Sequence, residues 1–455
     1  MGAVVTRQSA KQVAVTRRRV AIIGAGLSGV ALAVRLAQRG SEAPDITLIE
    51  RGRRFGPGLA YSTQNEAHLL NVRAANMGAR ADAPDDFANW LKARGEDAPA
   101  AFAPRARYGD YVQDLLRHIE GGKQSDLRRV RDEAVACRPD GEGWVVTLAK
   151  GETISADAVL LAIGHRRPAS LPAFERASVD MVSAWDTDAQ RRLPGGDVLL
   201  VGAGLTMVDV ALSLAARRKG VIYALSRRGL TPRAHLDPPR APPSEAMELP
   251  LALSEAVGAF RREVRAMAER GEPWQLAVDR LRAQTPALWG RLPVEAQRRF
   301  LRHLRPWWDV HRHRAAPEIA AKVAALQAEG RLRILAGEIV SVQRSGRGLS
   351  VHHRPRASMV RHHLEIAGAV NCTGGNLDLT RAAAPLLAQL LSEGVARANP
   401  NGLGLDVDPA GHVIGADGAA RQGLFAIGAL TQGAFWESTA VPEIRVRAAA
   451  IADIV

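Results

Sequence analysis

Three glycines in the run Gly24-Ala25-Gly26-Leu27-Ser28-Gly29 have a spacing that can hold a pyrophosphate. The first permits a tight turn, the second lets main chain approach a phosphate, and the third lets helix and strand pack closely. The helix that follows would aim free N–H groups and its positive dipole end at the anion, with the Ser28 hydroxyl as a further donor. Glu50 falls 21 residues beyond Gly29, at the end of an apolar run, where its carboxylate can accept from ribose hydroxyls. A glycine pattern alone is a weak sign. Strand, turn, helix, strand and acid in succession are a strong one.

A second turn, Gly202-Ala203-Gly204, departs from the first because Met207 stands at the third glycine position. A side chain there is expected to push helix and strand slightly apart and loosen the pocket. The strand after it ends without an acid, on Ser226-Arg227-Arg228. Guanidinium groups pair with a 2′-phosphate that a carboxylate would repel, so NADPH is expected here, with NADH possible; the bland reading is solvent-facing arginine. Near the C-terminus, Gly423 to Thr431 is another strand entering a turn at Gly428. The segment Trp436 to Arg445 then begins a helix with Pro442 in its first turn. Flavoproteins with an N-terminal nucleotide fold use such a late strand against the flavin chain. FAD is therefore expected on the first turn, touched by Gly428, Trp436 and Thr439, and the helix dipole would favour negative charge on reduced flavin. By itself, the same segment also fits an ordinary packing helix.

Positioning these residues requires one pattern written twice. Arg19–Ile23, the glycine turn, a helix from Leu27 to about Arg39 and the strand Ile46–Ile49 form the first copy, which closes on Ala158–Gly164. Asp197–Val201, the second turn, a helix from about Thr206 to Arg217 and Gly220–Leu225 form the second, which closes on Gly368–Gly374. Alternating strand-like runs, Trp144–Leu148 and Leu349–His352, precede the closing strands. The fold class is thus α/β, with two doubly wound Rossmann-type dinucleotide-binding domains and a mostly helical insertion. The expected boundaries are a basic, disordered tail at 1–18, a discontinuous FAD-binding domain at 19–190 plus 375–455, and an NAD(P)-binding domain at 191–374. The insertion spans 238–330, opening on Pro238-Pro239-Arg240-Ala241-Pro242-Pro243 and carrying Trp274, Trp289, Trp307 and Trp308. It reads equally as a cap over a site or as a packing element.

At 455 residues and 47% hydrophobic content the chain can build two or three cores. Its apolar runs stop at strand length, and Met1–Arg19 is polar and basic without a signal-type core, so a cytoplasmic protein without membrane partners is expected. Cys137 and Cys372 are far apart, which argues against a disulfide framework, a zinc site and a Cys-x-x-Cys pair. Redox chemistry must then come from a cofactor, and no metal is expected. The net charge of +14 arises from dispersed arginine, with no aromatic comb between basic residues. Arginine-rich composition and anionic cofactors account for it better than nucleic-acid binding. Oligomeric state is not legible.

With these motifs the chain resembles the bacterial FAD/NAD(P)-binding proteins that include flavin-dependent urate hydroxylase and an aspartate N-hydroxylase. The resemblance runs from residue 19 almost to the end. Its most specific pieces are Gly56-Pro57-Gly58-Leu59-Ala60-Tyr61-Ser62-Thr63, His68-Leu69-Leu70-Asn71-Val72, Ser226-Arg227-Arg228-Gly229-Leu230, Arg233-Ala234-His235 and Trp436 to Arg445. More broadly it is similar to flavin-containing and N-hydroxylating monooxygenases. The resemblance implies a cycle in which NADPH reduces FAD, O₂ adds at flavin C4a, and the hydroperoxide passes one oxygen to a small polar nitrogen-containing substrate. Asn71 is then the candidate polar group beside the flavin, unless it merely stabilises a turn. His235 is a candidate near nicotinamide or substrate, although a loop histidine after Pro232 is more often structural. The Baeyer–Villiger signature is broken, since Phe174 is followed by Arg176 where glycine belongs and Asp180 where histidine belongs. Two alternatives remain: a reductase or dehydrogenase without oxygen activation, and a flavin-binding redox sensor.

Overall fold

The computed structural model describes residues 17–96, 99–121, 126–166, 168–346, 348–380 and 384–455. Residues 1–16 of the expected tail lie outside the described residues. Arg18, the last residue of that tail, donates to the Val455 carbonyl at 2.6 Å.

Continuous runs of Val, Ile, Leu and Ala suit strands buried on both faces, and Arg19–Ile23 with Ala158–Leu161 are of this kind. They lie at the centre of a six-stranded sheet. Its order is His412–Ile414, Ala420–Ala426, Ala158–Leu161, Arg19–Ile23, Asp45–Ile49 and Leu127–Val130. All pairs are parallel except the first. Ile23 stands opposite both Ile49 and Leu161, so the strand that feeds the first turn is flanked by the strand ending before Glu50 and by the closing strand. Ala420–Ala426 pairs with Ala158–Leu161, bringing the late segment into the N-terminal sheet. The helix Leu27–Ala37 covers one face with Val30, Leu32 and Leu36, and the last helix, Val441–Ile454, packs on it through Val441, Ile444 and Ile451.

The second sheet has seven strands. They run in the order His362–Ile366, Gly348–Pro355, Leu332–Ser345, Ile222–Ser226, Val198–Val201, Gly368–Asn371 and Val182–Ser183. Its parallel centre repeats the first sheet: Val201 pairs with Leu225 and with Asn371. The strand-like runs noted before each closing strand are antiparallel appendages, Gly143–Leu148 within a three-stranded sheet and Gly348–Pro355 against Leu332–Ser345.

Between Ile222–Ser226 and Leu332–Ser345 lie five helices: Leu253–Glu269, Trp274–Arg291, Val294–His303, Arg305–Arg312 and Pro317–Ala328. The last belongs to the nucleotide fold itself. Parallel neighbours need a crossover, and Pro317–Ala328 supplies it by burying Ile319, Val323 and Leu326 among Val208, Ala211 and Leu214. Of the other four, Leu253–Glu269 packs on Trp274–Arg291, and the remaining three reach the C-terminal segment. Trp289 stacks on Trp436 with centroids 4.9 Å apart and donates to the Gly433 carbonyl at 2.8 Å. Trp308 donates to Glu437 at 3.1 Å. Trp274 meets His311 edge-on, whereas Trp307 is exposed. Among the described residues no helix is long and apolar enough to cross a membrane.

Candidate active site

Gly24 has φ +104°, and its N–H donates to the Ile49 carbonyl at 2.8 Å. A Cβ on Gly24 would sit 2.4 Å from the Ala162 carbonyl oxygen, and one on Gly29 would sit 1.9 Å from that of Gly24. Both positions therefore require glycine. The Gly56-Pro57-Gly58 segment closes over the turn: the Gly56 N–H donates to the Ala25 carbonyl at 2.7 Å, and an added Cβ on Gly26 would lie only 3.5 Å from Gly58. Glu50 accepts from the Ala25 N–H at 2.9 Å through one oxygen and from Gly52 at 2.7 Å through the other. Each carboxylate oxygen keeps a lone pair for a ribose hydroxyl. Gly428, at φ +74°, meets Ser28 so closely that an added Cβ would lie 2.8 Å from the Ser28 hydroxyl. First turn, Glu50 and late turn thus converge. The helix Leu27–Ala37 starts at Gly26 with no side-chain cap and no acid in its first turn, leaving its N–H groups for an anion.

At the second turn, Gly202 has φ +110°, donates to the Leu225 carbonyl at 2.8 Å, and would drive a Cβ to within 2.4 Å of the Cys372 carbonyl. Gly204 has open space around it. Met207 is fully buried among Val198, Val208 and Ala224, so its side chain is absorbed into the core between helix and sheet. Arg227 is exposed; Arg228 is half-buried, with Nη2 at 3.4 Å from the Arg302 carbonyl of the insertion. Both lie just beyond the strand Ile222–Ser226, as their sequence position required.

Asn71 and His235 come together from separate folds. His235 Nε2 lies 2.9 Å from the main-chain oxygen of Asn71, and the imidazole also packs on Phe102. Burial, and then the charges of Arg314, Arg73 and Arg312, pull the His235 pKa down to about 4; the bond to Asn71 opposes this. Neutral His235 therefore donates from Nε2, and the arrangement suits positioning of Asn71 better than proton transfer. Thr439 is half-buried just before the last helix, while Trp436 is buried between Trp289 and Phe300, where it fastens the insertion.

Beside His235 lies a group that composition showed only as scattered charge. Arg312 is 5% exposed and its Nε donates to Glu437 at 3.1 Å. Arg314 pairs with Asp279, Arg282 bonds both oxygens of Glu443 at 2.9 and 3.2 Å, and Arg73 donates to the Leu236 carbonyl at 2.7 Å. Burial lowers the pKa of Arg312 and of Arg314, and pulls His313 between them down to about 3. Arg312 Nη2 also lies 3.0 Å from Glu437, whereas Arg282 Nε, Arg314 Nε and the Ser438 hydroxyl are buried without a hydrogen-bond partner. Unpaired donors in a water-poor space are costly, and three of them in this arginine group suit an anionic or strongly polar group.

A cavity of 1120 Å³ separates residues 59–68 from the outer face of the helix Leu205–Ala215. At its inner end His68 bonds Thr63 at 2.9 Å and Ser213 at 2.6 Å, and Arg105 lies 3.4 Å from Asp209. Burial raises the Asp209 pKa against the pull of Arg105 and His68. Cys137 and Cys372 are buried in different cores, and burial pushes the Cys137 thiol up to about 12.

Residues 21–166 match the model of a family described as FAD-NAD(P)-binding. This part of the chain is an FAD/NAD(P)-binding domain. The domain contains the first turn, Glu50, the Gly56–Thr63 motif and Asn71. Among curated proteins the chain is 25% identical over 297 residues to a nitrosuccinic acid synthase of Aspergillus oryzae, covering 53% of this chain and 44% of that one. It is 24% identical over 221 residues to an FAD-binding monooxygenase of Aspergillus calidoustus, covering 44% and 33%. The chain thus spans less than half the length of these relatives. Among solved structures, L-lysine 6-monooxygenase of Pseudomonas syringae superposes with TM-score 0.67 at 18% identity, covering 96% of this chain and 98% of that one. Ornithine hydroxylase of Pseudomonas aeruginosa gives 0.65 at 14%, with the same coverage. The structural likenesses show that the described chain shares the overall fold of these enzymes.

Proposed function

We propose that the chain is an FAD-dependent, NAD(P)H-consuming monooxygenase that hydroxylates a small nitrogen-containing substrate bearing a carboxylate. The observation that carries this reading is the set of unpaired donors on Arg282, Arg314 and Ser438, with the Arg312–Glu437 pair, near His235 and the start of the last helix. Glu50, Gly24, Gly26, Ser28, Gly29, Gly428 and Thr439 would hold FAD, within a domain made of 19–190 and 375–455. Gly202, Gly204, Arg227 and Arg228 would hold NADPH within 191–374. The names of the relatives, a nitrosuccinic acid synthase and an FAD-binding monooxygenase, agree with oxygen chemistry on an acidic nitrogen compound.

When bound, the flavin supplies reduction by nicotinamide and activation of O₂. The chain's own residues do the rest. Buried guanidinium groups orient the substrate carboxylate by charge-assisted hydrogen bonds. His235 fixes the main chain at Asn71, so that the Asn71 amide presents a donor too weakly acidic to give up its proton. The insertion, fastened through Trp289 and Trp308, keeps water from the arginine group. The balance is NADPH, a proton, O₂ and substrate giving NADP⁺, water and hydroxylated substrate.

The test uses untagged, flavin-loaded protein with NADPH and ¹⁸O₂ against a panel of amines with and without carboxylates. One ¹⁸O per NADPH in the product of an acidic amine is expected. Rapid NADPH oxidation with no labelled product for any compound would replace the reading with a reductase. Labelled product from uncharged amines alone would overturn the carboxylate.

A further inference from the structure

Far along the second sheet from its glycine turn, the strands Gly348–Pro355 and His362–Ile366 form a hairpin with two cross-strand histidine pairs, His352 opposite His363 and His353 opposite His362. Side chains alternate along a strand. Leu349, Val351 and Ile366 enter the core, so His353 and His362 continue the core face. His352 and His363 share the other face with Ser350 and Glu365. There the two imidazoles have centroids 6.0 Å apart and planes inclined at 36°. His352 Nδ1 is buried without a hydrogen-bond partner, and His363 is exposed. Glu365 interacts electrostatically with both rings while accepting from Ser350 and Ser345, and Arg354 of the same face is taken up by Glu338.

We infer that His352 and His363 form a two-nitrogen chelate for a borderline divalent transition ion such as Zn²⁺. Metal–imidazole bonds of about 2.0–2.1 Å place two ring centres roughly 5–6.5 Å apart across an ion, depending on the angle at the metal. At the tetrahedral angle of Zn²⁺ the centres would lie about 5.2 Å apart, so the rings, 6.0 Å apart without the ion, close by roughly 1 Å through side-chain rotation when it binds. No group of three His, Cys, Asp or Glu that could hold a metal occurs among the described residues, so the protein supplies two ligands and water completes the sphere. Imidazole nitrogen selects Zn²⁺, Ni²⁺ or Cu²⁺ over Mg²⁺ and Ca²⁺. The ion clips the two hairpin strands together below the exposed tip at Met359 and Val360, and takes no part at the nucleotide turns.

The experiment is calorimetric titration of Zn²⁺ into untagged, flavin-loaded protein stripped of metal, with Mg²⁺ as control and thermal unfolding followed in parallel. One saturable Zn²⁺ site that raises Tm is expected. Loss of outer-shell partners alone costs roughly 10–100-fold in metal affinity, so His352→Gln or His363→Ala should weaken binding by at least about tenfold. Flavin content should stay at the parent level in both, and His362→Ala should leave the site in place. Equal Zn²⁺ binding in the parent and in a His352→Gln/His363→Ala double variant that retains its flavin would overturn the assignment. So would an equal response to Mg²⁺.

Discussion

The imidazole of His235 donates to the main-chain oxygen of Asn71 across 2.9 Å, joining a loop of the second nucleotide fold to the FAD/NAD(P)-binding domain. The loop is itself pinned, because the His235 N–H donates to the Ala315 carbonyl at 3.0 Å and the Ala315 N–H to that of Arg233 at 2.8 Å. The position of Asn71 is thereby tied to the arginine group that immediately precedes Ala315 in the chain, at Arg312 and Arg314.

This bond makes acid stability a test. His235 has a folded pKa of about 4, below the 6.5 of an unfolded histidine. Between those values the unfolded chain holds more protons, so stability is complete above the unfolded pKa and falls as pH drops toward 4. His235→Gln keeps a donor without the titration. It should flatten the loss between pH 7 and pH 4.5 by at most about 3 kcal/mol, read from urea unfolding at the two pH values. Parallel curves for parent and variant would show that His235 is not held neutral.

The two turns should respond differently to one added methyl. Gly29→Ala would push a Cβ to within 1.9 Å of the Gly24 carbonyl, whereas Gly204→Ala meets nothing within 4 Å. Gly29→Ala should purify without flavin and with a lowered Tm. Gly204→Ala should remain yellow and lose only NADPH affinity, because the methyl stands where a pyrophosphate would approach.

Glu50 both steadies the turn and faces the ribose. Glu50→Gln keeps one acceptor and should weaken FAD retention by about tenfold, the worth of one charge-assisted hydrogen bond. Glu50→Ala should weaken it further. Flavin release measured by fluorescence on dilution decides the matter, and full retention in the alanine variant would remove Glu50 from the site.

Arg227 is exposed with no ion-pair partner among the described residues, and Arg228 is only weakly engaged. Replacing both with alanine should raise the KM for NADPH by about tenfold or more and leave that for NADH within about twofold. Equal effects on both nucleotides would mean that these side chains do not read the 2′-phosphate.

Arg312 and Glu437 are a buried pair, 5% and 4% exposed. Removing one partner leaves an uncompensated charge, so Arg312→Ala should cost about 3–5 kcal/mol in unfolding experiments. Arg312→Lys keeps the charge without the planar fork. It should hold its flavin yet raise the KM of an acidic substrate by at least about tenfold, with little change for an uncharged one.

Local chemistry decided much of this protein. Gly24, Gly29 and Gly202 announce their turns because their neighbours leave no room for a side chain, and the strands on either side are apolar because both faces are covered. Arg227 and Arg228 were legible because a strand end fixes where its next residues emerge. Met207 was expected to loosen its turn; the core around it takes up the side chain, which spacing along the chain cannot reveal. The tertiary structure alone decided the rest. Asn71 and His235 are 164 residues apart, and only the docking of two folds puts one on the other. Trp436, expected at the cofactor, also stacks on Trp289 of the insertion, a contact that spacing does not show. Arg282, Arg312 and Arg314 read as ordinary basic residues until folding sets them, half-buried or buried, against Glu443, Glu437 and Asp279. Arginine at a surface and arginine in a water-poor pocket are spelled alike, and the energy of a charge depends on surroundings that the chain assembles from distant segments.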